Sequence, residues 1–227
     1  MTLRFHRPLA RTAMAALALL IVAPPFAASA APVAAPAAVY TPPPYPPVTI
    51  YVNQLTPYLE QKLDKGEIVV LLKQRHPLYD LDVYGNVEGT PDQVWKAVTA
   101  YDHYDEFLPL VTEAYLRKRQ NNMAYQYIRM NPPWPFTEKW MVNAHREDKA
   151  KGRLSWEQAE GNVRFERGFW AVTPIGPNKT RLQYHLTVDP WMDNMPGWVV
   201  DMVTKGIMPN VIKGARKRVK QDQQAKK

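Results

Sequence analysis

The sequence predicts an α+β fold in which a curved antiparallel sheet wraps around a long C-terminal helix. The second half of the chain is a run of strand-like segments joined by short turns, and hairpin-length connections imply antiparallel pairing. The chain then closes on a long amphipathic stretch whose apolar face must be buried, and the concave side of that sheet is the surface available. Composition agrees: 46% hydrophobic residues in a chain of 227 fill one domain and hardly two.

Residues 1–30 stand apart from that domain. Arg4, Arg7 and Arg11 form a basic start, Ala13 to Ala23 is an apolar run too short for a membrane span, and Ala28-Ser29-Ala30 has the form of a cleavage site. This is the pattern of a secretory signal peptide cleaved near Ala30, and it implies an exported, periplasmic protein. The sequence holds no cysteine, so export brings neither a disulfide nor a lipid anchor on a cysteine. Loss of the signal removes three arginines and no acids, which lowers the formal charge from +8 to about +5. Residues 31–50, opening "APVAAPAAVYTPPPYPP", form a Pro/Ala-rich linker, because prolines at this density favour extended chain and build no core.

The folded domain is expected over 51–222, with 223–227 as a basic tail. Leu55, Leu59 and Leu63 mark a short amphipathic helix that stops at Gly66. "EIVVLLKQR" and "LYDLDVYGNVEG" are strands by their β-branched content and alternation. Thr90-Pro91-Asp92 opens a helix with a threonine cap, a proline in the first turn and an early acid. "HYDEFLP" is a second short helix, ended by Pro109. Strands follow near 111–119, 123–130, 137–146, 152–159, 163–173 and 180–189, separated by Asn121-Asn122, a proline cluster, Lys151-Gly152, Gly161-Asn162 and Gly176-Pro177-Asn178. A helical stretch runs from Pro196 to about Gln221, with Trp198, Met202, Ile207, Val211, Ile212, Ala215 and Val219 along one side. Pro209 either kinks it or restarts it. Lys213, Arg216, Lys217, Arg218 and Lys220 then form a basic run, which suits a solvated helix end and also attraction to an anionic membrane.

Three ordered motifs carry a resemblance to a known superfamily. "GNVEGTPDQVWKAVTAYDHYDEFLPLV" (Gly85 to Val111) resembles the opening of START lipid-transfer domains, polyketide cyclases and birch-pollen-type allergens. "PPWPFTEKWMV" (Pro132 to Val142) resembles the START segment in which a proline-rich loop leads into a strand. "GFWAVTPIGPNKTRLQYHLTVDPWMDNMPGWVVDMV" (Gly168 to Val203) resembles the START C-terminal pattern of strand tryptophan, Thr-Pro-x-Gly turn, Asp-Pro and Pro-x-Trp helix. The resemblance spans Ile68 to Val219 and implies the helix-grip fold with a cavity under its terminal helix. Two departures stand out. Lys139-Trp140 replaces the usual Arg-Asp, which removes any inherited buried Arg–Asp pair, and Trp191-Met192 replaces Gly-Gly.

Catalytic motifs are missing. Past the signal the only serine is Ser155, inside a predicted strand, and no G-x-S-x-G, H-E-x-x-H, G-x-G-x-x-G or Walker loop occurs. Asp102, His103, Asp105 and Glu106 do not converge on one ion, and His76, His145 and His185 are scattered. No cofactor, metal or nucleic-acid partner is expected. What remains is apolar surface with isolated polar groups. In "MAYQYIRM" one of two alternating faces must line the sheet's concave side, and Tyr125, Tyr127 and Arg129 are taken as the pocket wall. Phe165, Arg167, Phe169 and Ala171 alternate with Trp170 and Val172 in the same ambiguous way. Trp140, Phe169, Trp170, Met202 and Ile207 complete the expected ligand contacts. Arg129, Arg167 and Glu166 are the candidates for a buried polar contact. The function expected is non-enzymatic binding and transfer of a lipid, sterol or hopanoid, with transient contact between the terminal helix and an anionic membrane. A cyclase or dehydratase using the same cavity, and an envelope protein-interaction module, are the alternatives.

Overall fold

The computed structural model describes residues 55–189, 192 and 194–225. The expected signal peptide and linker, and the last two residues of the basic tail, lie outside the described residues. Helix α1 (Pro57–Asp64) starts on Thr56, whose hydroxyl accepts the Leu59 N–H, with Pro57 in the first turn where no donor is needed. Strands β1 (Val69–Arg75) and β2 (Leu78–Glu88) follow. Helix α2 (Pro91–Val98) carries a full capping box, the Thr90 and Gln93 side chains each satisfying the other's backbone N–H. After it come a tight turn and α3 (Tyr104–Phe107). Strands β3 (Val111–Gln120), β4 (Met123–Met130), β5 (Lys139–Asp148), β6 (Arg153–Gly161), β7 (Phe165–Gly176) and β8 (Lys179–Asp189) complete the sheet.

The eight strands form one antiparallel sheet in the order β1-β2-β8-β7-β6-β5-β4-β3. Every pairing but one joins neighbours in sequence. The exception, β2 with β8, sets Tyr79 opposite Val188 and ties the first hairpin to the last strand. The concave face carries the main core, to which β2 contributes Val83 and Val87, β6 Leu154 and Trp156, β7 Trp170 and Val172, and β8 Leu182. A smaller cluster on the other face buries Leu63, Val69 and Tyr84 beneath α1.

The C-terminal stretch grips this concave face as expected, but in two pieces. Helix α4 (Gly197–Asp201) passes into a wide π turn (Met202–Ile207), and α5 (Pro209–Gln224) follows. Pro209 restarts the helix rather than kinking it. Because the proline has no N–H, the preceding turn widens, with Met208 N–H reaching Val203 O at 2.9 Å. The Asn210 amide then fills the Gly206 carbonyl at 2.8 Å. Helix α5 buries Val211, Ile212, Ala215 and Val219. Gly214 lets it approach closely, since a Cβ there would sit 1.8 Å from the Phe107 carbonyl oxygen. Trp198, expected on the apolar side, is instead 49% exposed and stacks on Trp134 of the β4–β5 loop at 5.5 Å. No helix among the described residues is long and apolar enough to cross a membrane.

Candidate functional site

Between the sheet and the terminal helix lies a partly open cavity of about 150 Å³. Its walls follow from period-two alternation along each strand. β4 contributes Ile128 and Met130, β5 Met141, Asn143 and His145, β6 Trp156, β7 Glu166 and Trp170, and β8 Tyr184 and Leu186. Tyr104 and the segment Leu108 to Val111 close one end, and Ile207, Met208 and Val211 form the helical cover. Most of this surface is apolar. Among the described residues, no lysine or arginine lines it.

One wall is polar. The Glu166 carboxylate oxygen Oε1 accepts the Trp156 indole N–H at 3.1 Å and the Asn143 amide at 3.3 Å. Gly168 makes this geometry possible: it pairs with Trp156 across β6–β7, and a Cβ there would fall 2.5 Å from the indole ring. Burial pushes the Glu166 carboxyl above the ordinary range, against the opposing pull of those two hydrogen bonds. The acid therefore holds its proton further up the pH scale than an exposed one. His145 packs between Tyr101, 4.9 Å away, and Trp156, 5.8 Å away, and burial pushes its pKa down to about 3. Neither of its ring nitrogens has a hydrogen-bond partner among the described residues, and the same is true of Asn143 Oδ1. The Tyr184 phenol is pushed well up, first by burial and then by the nearby Glu166 and Tyr104. The result is a strip of buried hydrogen-bonding groups set in an apolar box.

The structure brings Trp170 and Ile207 to this cavity and leaves the other expected contacts elsewhere. Tyr125, Tyr127 and Arg129 lie on the opposite face of β4. Tyr127 stacks on Tyr115 at 4.9 Å and on Trp140 at 6.3 Å, while Lys118 covers Tyr125. Arg129 pairs with Glu113 at 2.8 Å on the neighbouring strand. The physical reason lies in the partners: Gln126 turns inward with its amide donating to the Tyr101 carbonyl at 2.8 Å, while an arginine on that face would carry its charge into a mainly apolar space. Phe169 is buried, but on the outer side, between the Arg153 guanidinium at 3.6 Å and the His185 ring at 4.8 Å. Met202 is half-buried in the π turn and does not line the cavity. Of the three candidates for a buried polar contact, Glu166 is one; Arg129 and Arg167 are on the outer face.

Asn143, His145, Trp156 and Tyr184 escaped the reading of the sequence as ligand contacts. The signal that reaches them is β8, where Leu182, Tyr184, Leu186 and Val188 alternate cleanly with Arg181, Gln183, His185 and Thr187. With that strand oriented, Trp170 opposite Tyr184 and Glu166 opposite Val188 fix the inward face of β7.

Across the outer face runs a chain that resembles an acid–imidazole–hydroxyl relay. Asp82 meets His185 Nδ1 at 2.9 Å, and His185 Nε2 meets Thr187 at 3.2 Å. It is not a nucleophile, since the Thr187 hydroxyl donates to Asp80 at 2.7 Å and the residue is 1% exposed. A depression of about 350 Å³ nearby is lined by Arg146, Arg153, Arg167 and Glu157 together with Met123, Ala144 and Phe169, so that charged groups crowd its walls, unlike those of the cavity.

Residues 86–223 match the family described as polyketide cyclase / dehydrase and lipid transport. No curated protein matches the chain. Solved structures share the fold at low identity. The STAR-related lipid transfer protein from Xanthomonas axonopodis is 18% identical with a TM-score of 0.57, over 67% of this chain and 93% of its own. The START superfamily protein from Mycobacterium smegmatis is 16% identical with a TM-score of 0.53, over 63% and 97%. Human STARD10 is 13% identical with a TM-score of 0.52, over 69% and 75%. The architecture is thus the helix-grip fold of the START superfamily, and the chain belongs to the polyketide cyclase / dehydrase and lipid transport family.

Proposed function

We propose that this protein is a non-enzymatic carrier that binds a hydrophobic ligand under its terminal helix and transfers it through an exported compartment, the bacterial periplasm. The observation that carries the reading is the cavity between sheet and terminal helix, lined mainly by aliphatic and aromatic side chains and covered by a helix that is broken at the π turn. Burying a ligand's apolar body contributes about 0.8 kcal/mol per CH₂, so such a cavity binds well without directed chemistry. The signal-like residues 1–30 support export. The test is a mass spectrum of the organic extract from protein purified out of the periplasm. A stoichiometric lipid is expected, and extract that stays empty, with no affinity for sterol, phospholipid or quinone, would leave the interaction module ahead.

A second reading has a specific observation behind it. Glu166, His145 and Tyr184 converge on the cavity, as acid–base groups of a cyclase or dehydratase would, and the family description names such enzymes. Against it, neither His145 nitrogen is hydrogen-bonded, among the described residues, to an acid or hydroxyl that would orient it. Release of the bound ligand chemically unchanged separates the carrier from the enzyme.

Membrane contact through α5 is part of the proposal, with fewer residues than the sequence suggested. Arg216 donates to the carbonyls of Asn86 and Gly66, and Arg218 pairs with Glu106 and Asp222. Lys213, Lys217 and Lys220 are exposed. Changing those three lysines to glutamine should slow transfer to anionic vesicles several-fold and leave ligand capacity unchanged, since each basic group near such a surface contributes about 1 kcal/mol. The difference should shrink at high salt. Equal transfer by both proteins at low salt would remove α5 as the docking element.

A further inference from the structure

Resting on the carrier reading, we infer that the ligand bears one uncharged hydrogen-bonding group, a hydroxyl or carbonyl, held against the Asn143–His145–Glu166 wall, on an otherwise apolar body. The wall is the reason. A cavity meant for hydrocarbon alone needs no polar lining, and buried polar atoms left without partners are rare because each carries its full desolvation penalty. Here Asn143 and His145 are 1% and 2% exposed, and three of their polar atoms have no partner among the described residues. Asn143 Oδ1 accepts a hydrogen bond, and neutral imidazole offers one donor and one acceptor. A hydroxyl satisfies both kinds of site, and a carbonyl satisfies the donor.

Charged head groups fit badly. An anionic head would enter a low-dielectric space with no lysine or arginine among the described residues of its walls and with a carboxyl group as neighbour. A cationic head would need an ionised Glu166. Burial in the apolar cavity opposes that ionisation, so a cation would carry the cost of charging the acid as well as its own desolvation. Size points the same way. A space of about 150 Å³ is close to what a benzene-sized group fills, so it suits a compact polar end and its first carbons rather than a glycerophosphate head.

The experiment measures binding of four ten-carbon probes at pH 7, below their aggregation concentrations, by displacement of a fluorescent lipid: decane, decanol, decanoate and decyltrimethylammonium. Decanol should bind at least tenfold tighter than either ion and several-fold tighter than decane. Asn143→Leu should bring decanol within about threefold of decane, the size of one weakened hydrogen bond. Decanoate or decyltrimethylammonium binding as tightly as decanol would overturn the inference while leaving the carrier reading intact. No binding of any probe, decane included, would sink both. Should the variants fail to fold, the head-group order of the wild-type protein decides alone.

Discussion

Replacing His145 by phenylalanine should make the protein progressively more acid-resistant than the wild type, by about 2 kcal/mol between pH 6.5 and 4.5. The ring is buried at 2% exposure, and its pKa falls from 6.5 to about 3 in the folded state. For a depressed group the sign is fixed. Its contribution is present in full above the unfolded value near 6.5 and is lost progressively as the pH drops to about 3, because only the unfolded chain takes up the proton. The loss runs at about 1.4 kcal/mol per pH unit. Glu166 works in the opposite sense. Its folded pKa is raised, so its contribution is present below the unfolded value and is lost as the pH rises through the folded one. The two slopes oppose each other in the wild type, and each single variant should unmask the other. Glu166→Gln should therefore be relatively more stable than wild type in alkali and show the steeper acid loss. Thermal melts from pH 4.5 to 8.5 read both, with the pH dependence of the difference separating titration from any packing change. About 2 kcal/mol corresponds to roughly 4–8 °C in a domain of this size. A His145→Phe melt that tracks the wild type at every pH would show that the imidazole titrates normally.

The second large effect is on binding. Leu186→Asp should lower affinity for any apolar ligand by at least about 100-fold, equivalent to about 2.7 kcal/mol. Leu186 projects from the middle of β8 into the cavity, between Tyr184 and Val188 on the same face. A strand position cannot swing outward without shifting its register, so the carboxylate stays in the cavity and either holds water there or is desolvated with no cation nearby. The residue is only half-buried, which leaves the fold a route to tolerate the change. Leu186→Met, of similar volume, is the control and should bind normally. The decisive sample is an aspartate variant with a cooperative melt. Full ligand retention by that protein would mean that the ligand sits elsewhere.

How much of this was written in local sequence differs by element. The capped start of α2 and the strands around their turns were legible because each signal is local: a threonine hydroxyl three residues from its N–H, a glycine or asparagine where the chain must reverse. The antiparallel sheet around the terminal helix followed from short connections and an unpaired apolar face. The break at Pro209 was visible, but its form was not. A missing N–H permits either a kink or a restart, and the choice depends on which neighbouring carbonyls find other donors.

The site was less legible, and β4 explains why. Ala124, Gln126, Ile128 and Met130 alternate with Met123, Tyr125, Tyr127 and Arg129, and each face mixes apolar bulk with a polar group. Alternation states that the two sets face opposite ways; it does not state which way is in. That choice was made by partners distant in sequence, Glu113 holding Arg129 outside and the Tyr101 carbonyl holding Gln126 inside. The same holds for Glu166, whose fate as a buried acid depends on Trp156 and Asn143 arriving from two other strands, and on the missing side chain of Gly168. The sequence by itself determined the fold class, the order of elements and the want of a catalytic motif, because periodicity and turn chemistry act between near neighbours. Only the tertiary structure decided which face became the cavity wall, because the energy of burying a polar group is set by partners that the fold alone brings within hydrogen-bonding distance.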